Sequence, residues 1–112
     1  MAHPRHALDP ALQTPLRFSL MAALGRGVAV DFGTLRDLLE AEDSALSKAI
    51  SHLEDAGYVR VTKGYVGKRP RTWVEATSGG ERALARHLAA LRAIAEGIPG
   101  PRDRAERPAR SE

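Results

Sequence analysis

The stretch Leu46-Ser-Lys-Ala-Ile50-Ser-His-Leu53-Glu-Asp-Ala-Gly57-Tyr-Val59 decides how the rest of the chain is read. Leu46, Ala49, Ile50 and Leu53 recur at i, i+3, i+4 and i+7, which places them on one face of a helix running to about Ala56. Ser47, Lys48, Ser51 and His52 fall on the other face. Gly57 suits the left-handed residue that closes a helix. From Tyr58 to Lys63 the period changes to two, with Val59 and Val61 pointing one way, as in a half-buried strand. Thr72-Trp-Val-Glu-Ala-Thr77 repeats that strand character. Gly64 to Arg71, with two Gly and one Pro, reads as the longer loop of a hairpin.

Working toward the N-terminus, the polar step Glu40-Ala-Glu-Asp-Ser44 precedes that helix. Before it, Asp31 can cap a helix through about Leu39 whose buried stripe is Leu35, Leu38 and Leu39, and Val28-Ala-Val30 is a short extended candidate. Thr14 and Pro15 form the N-cap and first position of another helix, with Leu16, Leu20, Met21 and Leu24 on its apolar face. Gly25-Arg-Gly27 ends it. Residues 1–12 are polar and irregular and read as a flexible leader. Toward the C-terminus, Ser78-Gly-Gly-Glu81 fits a capping box, with Thr77 as the alternative cap. The helix after it carries Leu84, Leu88, Leu91 and Ala95, with Ile98 just beyond. Residues 97–112, rich in Pro and charge, read as a disordered tail. The expectation is one α+β domain, mainly α, over residues 13–96: helix, short strand, helix, helix, two-stranded hairpin, C-terminal helix.

Composition narrows the function classes. The chain has 112 residues, 17 Lys+Arg against 14 Asp+Glu, a formal charge of +3 and no cysteine. Disulfides, thiolate metal sites and cysteine nucleophiles are therefore excluded. No apolar run is long enough to span a bilayer, and the first residues lack a secretory apolar stretch, so the expected location is the cytoplasm. The four His (3, 6, 52 and 87) are scattered, and Glu40, Glu42 and Asp43 sit in a polar turn, so neither a metal nor a cofactor is expected. Gly67-Lys68 fails the phosphate-loop pattern, because position 62 is Thr and position 69 is Arg. No catalytic constellation is assembled, and the chain is not expected to be an enzyme.

The element order, with three stretches, resembles the MarR-like winged helix-turn-helix transcriptional regulators, in particular the subgroup consisting of little more than the DNA-binding domain. The stretches are Leu46 to Val59, then Lys63-Gly-Tyr-Val-Gly67-Lys-Arg-Pro-Arg71-Thr-Trp73, then Thr77-Ser-Gly-Gly80-Glu-Arg-Ala-Leu84. The resemblance assigns them as recognition helix and closing turn, wing, and start of the last helix. It implies a repressor that binds double-stranded DNA as a homodimer. The chain departs from the family in carrying Glu42 and Asp43 where Thr or Ser commonly begins the recognition helix.

Within that frame, Ser44, Ala45, Ser47, Lys48, Ser51 and His52 form the surface expected to read base edges in a major groove. Small hydroxyls bond base edges or phosphates, Ala45 suits a thymine methyl, and Lys48 reaches guanine acceptors or backbone. From Arg60 to Val74 there are five cations (Arg60, Lys63, Lys68, Arg69, Arg71) and no anion. Lys63, Lys68, Arg69 and Arg71 are therefore expected on DNA, Arg69 in the minor groove with Lys68 and Arg71 on the backbone. Trp73 is expected to pack in the core or along the sheet edge rather than stack on bases. Leu16 and Leu20 of the first helix, with Leu84, Leu88 and Leu91 of the last, are the expected homodimer surface. A crevice between those helices is a candidate site for a small apolar effector. The competing reading is a winged-helix interaction module whose cationic wing binds an acidic protein partner.

Overall fold

The computed structural model describes residues 2–25 and 27–97. Its elements are α1 (Pro15–Leu24), β1 (Val30–Asp31), α2 (Phe32–Leu39), α3 (Asp43–Asp55), β2 (Val59–Val66), β3 (Arg69–Ala76) and α4 (Ser78–Ala95), preceded by 3-10 turns at Pro4–Ala7 and Pro10–Leu12. The strands form one antiparallel sheet in the order β1-β3-β2. This is the α+β, mainly helical, winged helix-turn-helix arrangement that the sequence pattern implies.

The helix starts follow their caps. Thr14 Oγ1 accepts the Arg17 N–H at 3.2 Å, and Pro15 occupies the first turn of α1. Asp31 accepts from the Thr34 N–H at 3.3 Å and from its hydroxyl at 2.6 Å. On α4 the cap is Thr77, which accepts from the Gly80 N–H at 3.0 Å; Ser78 is already helical, so the alternative reading of that motif is the one realised. Thr77 also donates its hydroxyl to the Gly57 carbonyl at 2.7 Å, tying the end of α3 to the start of α4. Gly57 has φ +81°, the left-handed residue expected after α3.

The core is aliphatic. Leu12, Leu20, Met21, Leu24, Leu35, Leu46, Leu53 and Val74 are each less than 2% exposed, so the early segment, all of the first three helices and the sheet share one interior.

Four expectations need correction. Residues 1–12 are not a flexible leader throughout: Ala11 and Leu12 are buried, and the Pro4–Ala7 turn lies against α4. Leu20 is fully buried and so offers nothing to a second copy. Leu38 is 63% exposed, leaving Leu35 as the buried residue of α2. The hairpin loop is short, because the ladder runs to Val66↔Arg69 and leaves only Gly67-Lys68 in the turn. Gly67, at φ +63°, supplies the positive φ that a two-residue hairpin demands. Of the tail expected over 97–112, only Gly97 lies inside the described residues, and Ile98 lies outside them.

Candidate nucleic-acid interface

α3 divides its residues between interior and solvent as its period requires. Leu46, Ala49, Ile50 and Leu53 are buried, while Ser44, Ala45, Ser47, Lys48, Ser51 and His52 are all exposed. The helix begins at Asp43 with Glu42 as an N-cap that makes no side-chain cap bond. Carboxylates there complement the helix dipole. Asp43 is also paired: Arg36 of α2 lies 3.4 Å from its carboxylate and 3.3 Å from that of Asp37. Hydrogen bonds to Asp37 and then Asp43 raise the Arg36 guanidinium pKa above its usual value. The acidic start of α3 is thus partly neutralised from the neighbouring helix, which lowers its repulsion of a nearby phosphate.

The strand register sorts the wing into two faces, since side chains alternate along each strand. Val59, Val61, Lys63 and Tyr65 share the side toward the core with their partners Ala76, Val74, Thr72 and Pro70. Lys63 and Thr72 line a groove with Ser47 and Ser51 of α3, so wing and helix form one continuous surface. On the reverse side lie Arg60, Thr62, Gly64 and Val66 with Glu75, Trp73, Arg71 and Arg69. Arg60 is spoken for, pairing across the strands with Glu75 at 2.8 Å. The ion pairs found among the described residues leave out Lys48, Lys63, Lys68, Arg69 and Arg71. Trp73 lies over Gly64, where an added Cβ would come within 3.2 Å of the indole; the ring packs on the outer face of the hairpin.

Arg69 and Arg71 border a second concavity with Asp31, Gly33 and Arg36 at the start of α2. The Asp31 carboxylate is held below its ordinary pKa chiefly by the Thr34 hydroxyl, with the Arg71 charge adding to the effect and desolvation opposing it. Arg36 in this concavity is held by Asp37 and Asp43, and the α2 N-terminus by the Asp31 carboxylate. Arg69 and Arg71 are therefore the guanidinium groups that suit a phosphate oxygen there. Arg36 was not foreseen as part of this surface. Its position after Leu35 shows only that it leaves the core; the return of β3 past α2 is what sets it beside the wing.

The expected dimer residues separate by burial. Leu16 and Leu84 are half-buried, and Leu88 and Leu91 are 41% and 38% exposed. The buried stripe of α4 is Gly80, Ala83, His87 and Ala90, so the leucine row stands one residue around the helix from the core. Beside it an open apolar crevice of about 430 Å³ is bordered by Leu8, Leu12, Phe18, His87 and Leu91. His87, which is 3% exposed, accepts the Asp9 N–H on Nδ1 at 3.0 Å and lies 5.7 Å from the Phe18 ring. Among the described residues no group of His, Asp or Glu is placed to hold a metal ion, and no helix is long and apolar enough to cross a membrane.

A helix-turn-helix with an exposed polar recognition helix and a cationic hairpin beside it defines a winged-helix nucleic-acid-binding protein. A family model described as a winged helix DNA-binding domain matches residues 16–95, and the chain belongs to that family. A transcriptional regulator homologue from Pyrococcus horikoshii OT3 is similar in structure, with a TM-score of 0.78 and 28% identity over 88% of this chain and 99% of that one. The M. tuberculosis transcriptional regulator MosR, solved in complex with DNA, superposes with a TM-score of 0.64 at 22% identity over 92% of this chain and 77% of that one. A MarR-family regulator from Silicibacter pomeroyi gives 0.61 at 23% identity over 96% and 75%. The fold is thus MarR-like. No curated protein sequence matches the chain.

Proposed function

We propose that the protein is a sequence-specific, double-stranded-DNA-binding transcriptional regulator, a repressor, acting as a cytoplasmic homodimer on a pseudo-palindromic operator. One observation carries this reading: Lys63 and Thr72 of the wing line one groove with Ser47 and Ser51 on the exposed face of α3, while Arg69 and Arg71 stand on the reverse side of the same cationic hairpin. α3 enters the major groove, with Ser44, Ala45, Ser47, Lys48, Ser51 and His52 toward base edges. Lys63, Lys68, Arg69 and Arg71 neutralise backbone phosphates or reach into the minor groove.

The second copy docks through the leucine row of α4, Leu84, Leu88 and Leu91, together with Leu16. Leu88 and Leu91 are apolar and exposed in the single chain, and their burial favours association. A two-fold dimer sets its recognition helices ~34 Å apart, in successive major grooves. The crevice beside His87 and Leu91 is the place for a small apolar effector, since it adjoins that dimer surface. The function needs no catalytic step and no cofactor.

Titrating a labelled duplex at increasing salt tests the reading. The logarithm of affinity is expected to fall linearly with the logarithm of salt concentration, by about 0.9 per phosphate neutralised. Arg69→Ala should lower the slope by about one such unit, and Ser47→Ala should alter which sequence is preferred. A flat salt dependence, with neither variant changing DNA binding, would contradict it.

A further inference from the structure

The wing carries an apolar pair that a purely electrostatic description leaves idle. Val66 and Arg69 close the two-residue turn, and the closing pair of such a hairpin is hydrogen-bonded. The next pair, Tyr65 opposite Pro70, is then of the non-bonded kind, whose Cα atoms lie about 4.5 Å apart and whose side chains stand closest. In that position the missing N–H of Pro70 costs no ladder bond to β2, and β1 reaches only Val74 and Trp73 on the other edge of β3.

Tyr65 and Pro70 continue the pleat that begins with Val61 and Val74 and passes through Lys63 and Thr72. They therefore extend the surface shared with Ser47 and Ser51 beyond the groove, to the tip of the wing. Tyr65 is 72% exposed, more than any other large hydrophobic side chain among the described residues. Exposure alone means little, because single apolar side chains are common on surfaces. Here, however, Tyr65 is the ladder partner of the rigid Pro70, and Lys63, Lys68, Arg69 and Arg71 flank the pair along the hairpin, with no anion between Arg60 and Val74. Such charge complementarity selects a polyanion as the occupant.

Resting on the DNA-binding reading above, we propose that Tyr65 and Pro70 form an apolar wedge that enters the minor groove and packs on deoxyribose and base edges. The tip then has two functional sides. Tyr65 and Pro70 meet the groove wall nearer α3, and Arg69 on the reverse side meets the other wall. A wedge of this kind favours sequences that deform cheaply, such as pyrimidine–purine steps, at positions flanking the bases read by α3. The ring does the work, so the hydroxyl is dispensable.

The test uses the full chain and the labelled duplex that the wild-type protein enriches most strongly from a random pool. Tyr65→Ala is expected to weaken binding about tenfold, the scale of one aromatic contact to a nucleotide. Its salt slope should equal that of the wild type, because a neutral contact releases no counterion. Tyr65→Phe should bind as the wild type does, and thermal melting of both variants should be unchanged at so exposed a position. Wild-type affinity in Tyr65→Ala, or a loss accompanied by a lower salt slope, would overturn the wedge while leaving the DNA-binding reading intact. A wild-type protein that enriches no duplex and shows no salt-dependent binding would overturn both.

Discussion

The N-terminal segment and the wing are both rich in polar groups, and they differ in what those groups bind. In the first, partners lie within the chain. The Asp9 N–H donates to His87, its carboxylate accepts from Tyr58 and from the Ala11 N–H, and the Arg17 guanidinium donates to the carbonyls of Ala11 at 2.7 Å and Pro10 at 3.3 Å. In the wing only Arg60, near the base of the hairpin, pairs with a carboxylate among the described residues. A polar residue with an internal partner holds the fold, and removing it exacts a stability cost. A cation without one contributes little to stability and is free for a ligand. The two regions are thus expected to respond oppositely to mutation, one in stability and the other in DNA affinity.

The largest effect should come from Leu12→Ala, since Leu12 is 1% exposed in the shared core. Urea denaturation is expected to show a loss of about 2–5 kcal/mol; a loss near zero would reduce the N-terminal segment to a loose strap. Next is Gly80→Ala. Its Cβ would collide with the Tyr58 carbonyl and come within 3.0 Å of Met21 Cε. Calorimetry should show a destabilisation of about 1–3 kcal/mol despite the better helix propensity of Ala.

A smaller effect, about 1 kcal/mol, is expected for Tyr58→Phe, which removes the bond to Asp9. That bond, followed by desolvation and the charge of Asp9, raises the Tyr58 pKa above its ordinary value of 10.0. The folded state therefore holds this proton more tightly than the unfolded one. Its stabilisation is complete below pH 10 and is lost as the pH rises through the higher folded value. Stability measured from pH 9 upward should fall less steeply in Tyr58→Phe than in the wild type. The smallest stability effect belongs to the wing: Arg69→Ala should unfold within about 0.5 kcal/mol of the wild type while losing DNA affinity. A larger stability loss there would break the contrast.

Much of the fold was legible because its determinants are local. The apolar spacing of α3, the caps at Thr14 and Asp31, and Gly57 each act within a turn or two of themselves. The exposed face of α3 followed from the same period. What escaped depends on partners distant in sequence. Leu12 lies in a segment with no period, fixed by contacts that include a hydrogen bond from Asp9 to a residue 78 positions away. Gly64 and Pro70 look like loop residues, yet one makes room for the Trp73 ring and the other faces the open edge of β3. Leu20 shares its apolar face with Met21 and Leu24, and only the packed helices show that the face is consumed by the core. Tyr65 passed unnoticed because its importance lies in the residue opposite it, and pairing is set by the turn.

The central claim is that the open surface of α3 and the wing reads duplex DNA in two-fold symmetry. It is tested most directly by selecting bound duplexes from a random pool with the purified protein at about 150 mM salt, where sequence-blind binding is weak. The expected result is an enriched inverted repeat with half-sites about 10 bp apart, the spacing that puts two recognition helices in successive major grooves. Recovery of the unselected pool composition, round after round, would contradict it.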